Sequence, residues 1–424
     1  MNSRERINLA LNHREPDRIP LDLGGGSVTG MHVSTVYKLR QNLGLDAPGT
    51  PVKVSEPFQM LGEIKPDLLA ALGGDVVGVG GLKNMFGFKN ENWKPWTTFD
   101  GTPVLVPESF NTETEPDGAL LMYPEGDRSA RPSGRMPSGG WYFDSIIRQE
   151  PIDDDNLDVA DNLEEFGLIA AEELNHFQNE VERLYNETDK AIFLSFGGVS
   201  FGDIALVPAP WLKNPKGIRD VEEWYVSTAA RRDYVYEIFE QQSRITLANL
   251  EKIFQRVGNR VAVVLISATD FGTQNGPFIS PKAYRDLYQP FHKRLNDWVH
   301  QHTAWKTFIH SCGSILALLD DLVAAGFDIL NPVQCSAAQM DPRVLKERYG
   351  SQVTFWGGGV DTQKTLPFGT AAEVRGEVRE RIKIFGPGGG FVFNPIHNVQ
   401  ARTPIENLMA MYETVKEYGR YPIG

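Results

Sequence analysis

His310-Ser311-Cys312-Gly313 closes an apolar run, and in extended chain an imidazole and a thiol two residues apart share one face. Such a pair can grip a zinc ion from one side, because imidazole nitrogen and thiolate sulfur are donors that zinc prefers. The other of the chain's two cysteines, Cys335, closes the next apolar run, 327–334. Adjacent parallel strands would open both sulfurs into one mouth. A lone cysteine more often behaves as a small buried hydrophobe. Two cysteines, a histidine and a close-packing glycine, all at strand exits, favour instead a metal site built from His310, Cys312 and Cys335.

Further polar residues follow other apolar runs: Asp270 with Gln274, Gln334 beside Cys335, Asp361 with Gln363, and His397 with Asn398 and Gln400. Taken singly, each has a bland role, since Asp361 could cap a helix and Asn398 or Gln400 could satisfy loop backbone. Gathered at one mouth, Asp270, Gln334 and His397 become candidates for the chemistry. Gln274, Asp361, Asn398 and Gln400 become candidates for substrate contact. Asp270 is also placed to reach the metal.

The elements that must position these groups are legible from residue 190 onward. Short apolar runs at 191–196, 261–266, 306–309, 328–330, 353–356 and 390–393 alternate with helical patterns at 281–301, 313–325, 341–349, 371–385 and 404–418. Fully apolar strands separated by helices predict a parallel sheet covered on both faces. With this many units and no Gly-x-Gly-x-x-Gly fingerprint, the pattern predicts an α/β chain closed into a (β/α)8 TIM barrel. Upstream, a helix at 3–12, a strand at 18–23 ending in Gly24-Gly25-Gly26, and a helix at 32–43 form an N-terminal extension; another helix is expected at about 162–186. Residues 84–150 are rich in Trp, Pro, Gly, Asn and acidic side chains, which reads as a β-rich or irregular insertion placed to cover an opening. Residues 1–424 are thus expected to form a single barrel domain carrying that insertion.

Composition excludes several partners. With 42 basic against 55 acidic residues, a net charge of −13 and no Lys/Arg-rich run, neither nucleic acid nor an anionic membrane surface is expected to bind. No apolar stretch reaches the roughly 18–20 residues of a membrane span. The N-terminus leads into an amphipathic helix rather than a signal core, and the two cysteines make no framework of pairs. The expected compartment is the cytoplasm, where thiols stay reduced and available to a metal.

In combination, several segments resemble the uroporphyrinogen decarboxylase superfamily. They are Glu5-Arg6-Ile7 through Arg14-Glu15-Pro16-Asp17-Arg18-Ile19-Pro20, His310-Ser311-Cys312-Gly313, Leu330-Asn331-Pro332-Val333-Gln334, Gly357-Gly358-Gly359-Val360-Asp361, and Gly388-Gly389-Gly390 followed by Asn394-Pro395-Ile396-His397-Asn398. The true decarboxylases of that superfamily carry an Arg-Gln-Ala-Gly-Arg segment for the carboxylates of a porphyrinogen. The corresponding region here, 22–31, holds no arginine. The resemblance therefore implies the other branch, zinc-dependent methyltransferases, with Zn2+ on a His-x-Cys pair and a distal third ligand. His310 and Cys312 match the pair. In the coenzyme M methyltransferases of this branch the distal cysteine falls where His397 stands, so Cys335 and His397 compete for third place. His397 could equally be a fourth ligand or a substrate contact.

The implied activity is methyl transfer, or demethylation, between a small O-, N- or S-methylated substrate and a corrinoid (cobalamin) cofactor held on a partner protein. Self-association into a homodimer is compatible with it. The alternative is a decarboxylase-like lyase acting on a smaller carboxylic acid, with Asp270 and His397 handling protons.

Overall fold

Strands that are apolar on both faces need cover on both, and the chain meets that need by closing them into a ring. The computed structural model describes residues 1–197 and 201–423, so Gly198, which the sequence places at the end of a strand, lies outside the described residues. Seven parallel strands follow one another in sequence order: β1 (Val76–Val79), β2 (Ala191–Leu194), β3 (Val263–Ser267), β4 (Lys306–His310), β5 (Ile329–Asn331), β6 (Thr354–Trp356) and β7 (Phe391–Val392). The seam between β7 and β1 is filled by the expected strand at 18–23, reduced to a bridge. Leu21 pairs in parallel with Phe393, the Asp22 N–H donates to the Phe393 carbonyl, and the Asp75 N–H donates to the Leu21 carbonyl. Leu21 therefore stands in the eighth position of a (β/α)8 barrel.

Strand alternation divides the apolar residues between two cores. Val76, Phe193, Val263, Phe308, Ile329, Trp356 and Val392 fill the barrel interior, plugged at the strands' amino ends by Ile7 and Leu11 of helix α1 (Ser3–Leu11). Their neighbours Ile192, Leu194, Val264, Ile309, Leu330, Phe355 and Phe391 face outward into the layer of helices. The carboxyl ends of the strands are left for polar groups.

Some elements differ from expectation for identifiable reasons. The helix expected at 281–301 is two, Pro281–Leu287 and Gln289–His302, because Pro290 lacks the N–H that a continuous helix needs there. The helix expected from 162 begins at Ala171, since the Asn162 side chain instead accepts from the Ile218 N–H and donates to the Ile218 carbonyl. The helix expected from 313 starts as a 3-10 turn at Leu316–Leu318 and continues as Leu319–Ala324. Strand β1 was not expected, because Gly78 interrupts its apolar run; a Cβ there would collide with the Gly25 carbonyl, so the glycine lets the N-terminal loop lie against the strand. Nor were the helices Val221–Ala230 and Arg232–Val257, which pack outside the barrel.

Residues before and within 84–150 form two small sheets. One runs Leu61–Gly62, Val52–Glu56, Pro103–Val106, Lys94–Thr97; the other is an antiparallel meander of Glu113–Thr114, Leu120–Met122, Gly134–Met136 and Asp144–Ser145. Phe143 anchors them, edge-on to Phe86 and Phe110. Trp141 reaches the barrel, where its carbonyl lies 2.8 Å from His32 Nε2 and its ring lies under Arg402, in the loop after β7.

Candidate metal centre

Because Phe308 points into the barrel, His310 two residues later does so too, at the top of β4. The same logic turns Asn331 inward after Ile329 on β5, and the ladder sets His310 opposite Asn331. His310 Nδ1 lies 2.6 Å from Asn331 Oδ1, while the Asn331 amide donates to the Trp356 carbonyl at 2.8 Å. The second bond fixes which end of the amide faces the histidine, so Nδ1 carries the proton and Nε2 keeps its lone pair. That nitrogen lies 3.4 Å from Cys312 Sγ.

The loop after β4 is held tightly. The Cys312 N–H donates to Asp270 Oδ1 at 2.7 Å, and the Gly313 N–H donates to Gln334 Oε1 at 2.7 Å. Gly313 has φ +86, and a Cβ there would collide with the Gly272 carbonyl. The loops after β3 and β4 thus touch backbone to backbone, with the Ser314 N–H donating to the Thr273 carbonyl.

From the loop after β7, His397 meets this pair. Its ring lies edge-on to His310 with centroids 5.4 Å apart, and donor atoms of His310, Cys312 and His397 all lie within 4.8 Å of one another. Burial pushes both imidazoles down to about 4, so both are neutral ligands near pH 7. Burial also raises the Cys312 thiol well above its ordinary range, and Asp270 adds to the effect.

Two nitrogens and one sulfur suit zinc. The 3.4 Å between Nε2 and Sγ is close to the edge of a tetrahedron with bonds of about 2.0–2.3 Å. The hydrogen bond that His310 donates to Asn331 supplies the outer support that zinc-binding histidines have. Three protein donors leave a fourth position for substrate or solvent. Zinc held there would supply the positive charge that releases the thiol proton.

Cys335 is not brought to this group. Gln334 takes the inward position after β5, so Cys335 turns outward, half-buried against the apolar layer, with Arg381, Glu377 and Asp341 as its charged neighbours. Burial pushes its thiol up to about 12. His397 occupies the place that the sequence offered to either residue.

The remaining residues fall into two sets. Asp270 and Gln334 brace the Cys312-Gly313 turn, and Asp270 Oδ1 is 4.0 Å from His310 Nε2. Burial raises the Asp270 carboxyl above its ordinary range. Gln274 is exposed at the rim, its amide 3.3 Å from Gln363 Oε1. Asp361 accepts from the Gln363 and Lys364 backbone. Asn398 accepts from the Gly30 N–H at 2.6 Å and donates to Ser27 and Gln59, which ties the N-terminal loop to the barrel. Gln400 is exposed, its amide 3.3 Å from the Asn398 carbonyl.

Asp203, in the loop after β2, escaped the sequence reading. It is 6% exposed and accepts from the Ala205 N–H at 2.9 Å. Burial, then the Asp270 carboxylate, pushes it up to about 8. The signal available was an acidic residue after a glycine in a strand-exit loop, Gly202-Asp203.

A family model described as uroporphyrinogen decarboxylase matches residues 212–418. In three dimensions the chain is similar to a methyltransferase from Methanosarcina mazei, at 15% identity and a TM-score of 0.55 over 99% of each chain, a likeness of fold. A GH53 catalytic domain from Ignisphaera aggregans matches at 11% identity over 94% of this chain and 96% of its own, with a TM-score of 0.36, too loose to bear on the site. No curated protein matches in sequence. The matched residues, just under half of the chain, hold strands β3 to β7 and every donor of the candidate centre, so the segment that carries the site is similar to the uroporphyrinogen decarboxylase family.

Proposed function

We propose that this protein is a zinc-dependent methyltransferase that moves a methyl group between a small methylated substrate and a corrinoid cofactor carried on a partner protein, in the cytoplasm. The observation that carries this reading is the convergence of His310, Cys312 and His397 from two strand exits. Zinc bound by these three would act as a Lewis acid on an ether oxygen or a thiol at its open position.

The chain's own residues do the rest. Asn331 holds the His310 tautomer, Asp270 and Gln334 hold the Cys312-Gly313 turn, and Gln274 stands at the rim where substrate enters. Asp361, Asn398 and Gln400 act on substrate through the loops that they hold. The insertion at about 84–150, touching the mouth through Trp141, serves as cover within one barrel domain. The described methyltransferase neighbour supports the same reaction class. The Gly24–Gly30 loop argues against a porphyrinogen. It is bound to Asp22, Thr29 and Asn398 and offers no cation to a polycarboxylate.

The test loads purified protein with zinc and presents Co(I) cobalamin with methoxy compounds, methylamines and methyl thiols. Methylcobalamin forming only with the zinc-loaded protein supports the reading. Stoichiometric absence of zinc, or silence across the panel with a cognate corrinoid protein present, overturns it.

One observation favours a second reading, a lyase acting on a smaller carboxylic acid. Asp203 keeps its proton near pH 7 beside Asp270, an arrangement able to handle protons. Release of carbon dioxide by a metal-free Cys312→Ser protein would establish it.

A further inference from the structure

At the amino ends of the strands, on the face opposite the candidate centre, lies a recess of about 700 Å3. Pockets of this size hold small metabolites. Arg4, Arg260, Lys306 and His300 line it, against a single carboxylate, Asp328. Asp328 is already engaged, with His300 Nε2 at 2.7 Å, Lys306 Nζ at 3.1 Å and the Thr307 N–H at 2.8 Å. Arg260 gives one bond, to the Val257 carbonyl at 3.1 Å. Arg4 donates to the carbonyls of Lys190, Tyr185 and Thr188 and lies 3.9 Å over the Tyr185 ring. Neither arginine has a carboxylate within ion-pair distance among the described residues.

That imbalance is notable in a chain of net charge −13, where carboxylates outnumber cations. The amino-terminal face of a barrel ordinarily serves stability. Two arginines placed there without a paired carboxylate work against it. The wall is also preformed: Trp305 is 1% exposed and its Nε1 donates to the Gly258 carbonyl at 3.0 Å. We propose that this recess is a second ligand site, for a small multiply charged anion bearing phosphate or carboxylate groups. Arg260 and Lys306 supply the charge-assisted hydrogen bonds.

Calorimetric titration of the whole chain with inorganic phosphate, pyrophosphate and citrate, against sodium chloride at matched ionic strength, tests the proposal. The expected result is saturable binding of at least one anion tighter than about 1 mM. Which anion binds tells phosphate chemistry from carboxylate chemistry. Arg260→Gln, an exposed change that leaves the fold intact by circular dichroism, should weaken binding at least about tenfold. Cys312→Ser should leave it unchanged. No saturable binding by any of the three, affinity equal to the parent's in both Arg260→Gln and Lys306→Gln, or loss of binding in Cys312→Ser would each overturn the assignment.

Discussion

His310 Nδ1 sits 2.6 Å from Oδ1 of Asn331, its register partner on the next strand, and this contact decides which ring nitrogen remains for a cation. Asn331→Ala removes the acceptor and frees the tautomer. Zinc affinity should fall about 10- to 100-fold, as it does when an outer hydrogen-bond partner of a ligating histidine is lost. Competition against a chromophoric chelator measures this, and an unchanged affinity would show that the ring is oriented by packing alone.

The two cysteines should behave oppositely. Cys312→Ser and His397→Ala each remove a donor of the cluster, and zinc per chain should drop from near one to a small fraction. Cys335→Ser, whose thiol lies outside the cluster, should keep full zinc. Elemental analysis of the three variants after dialysis against a weak chelator decides the matter. Zinc lost from Cys335→Ser and kept in His397→Ala would restore the two-thiol centre.

The barrel was legible because its strands are apolar on both faces and alternate with helical patterns, as at Pro342–Tyr349 and Ala371–Phe385. The His310 and Cys312 pair was legible because period 2 carries the inward face from Phe308 to the strand's end. What the linear pattern could not decide was which residue of Gln334 and Cys335 faces inward, since that depends on how the chain leaves β5 after Asn331. Strand β1 was hidden by Gly78, whose meaning lies in a contact with Gly25 far away in sequence. Asp203 was hidden for a similar reason, because its burial depends on loops that converge only in the folded barrel.

Asp203 should make the metal-free protein less stable as pH rises. Folded, its carboxyl holds a proton up to about 8, whereas the unfolded chain releases it near 3.8. Between those values the unfolded state binds fewer protons, so unfolding free energy falls with pH, and the loss is complete above about 8. The cost at pH 8 is on the order of a few kcal/mol. Asp203→Asn should therefore be more stable than the parent at pH 8 and about equal at pH 4, with a shallower slope between them. Asp270, shifted in the same direction, keeps some slope in the variant. Urea unfolding at the two values in the presence of chelator is the measurement, and a parent whose stability rises with pH would refute the assignment.

Asp75 holds the seam that closes the barrel. Its carboxylate is fully buried and receives Arg6 Nη1 at 2.7 Å, Arg18 Nη1 at 2.8 Å, and the Leu21 N–H at 2.9 Å, while its own N–H donates to the Leu21 carbonyl. Asp75→Ala leaves Arg6, itself nearly buried, with only the half-exposed Asp17 as counter-charge, and it frees the strand position at Leu21. Removing one partner of a buried ion pair costs about 3–5 kcal/mol, far more than the pair adds over a well-packed apolar substitute. The urea midpoint should fall accordingly. Asp75→Asn should lose less, because the amide oxygen can still accept from Leu21 and one arginine. If the two variants are equally destabilised, charge rather than the hydrogen bond to Leu21 governs closure of the ring.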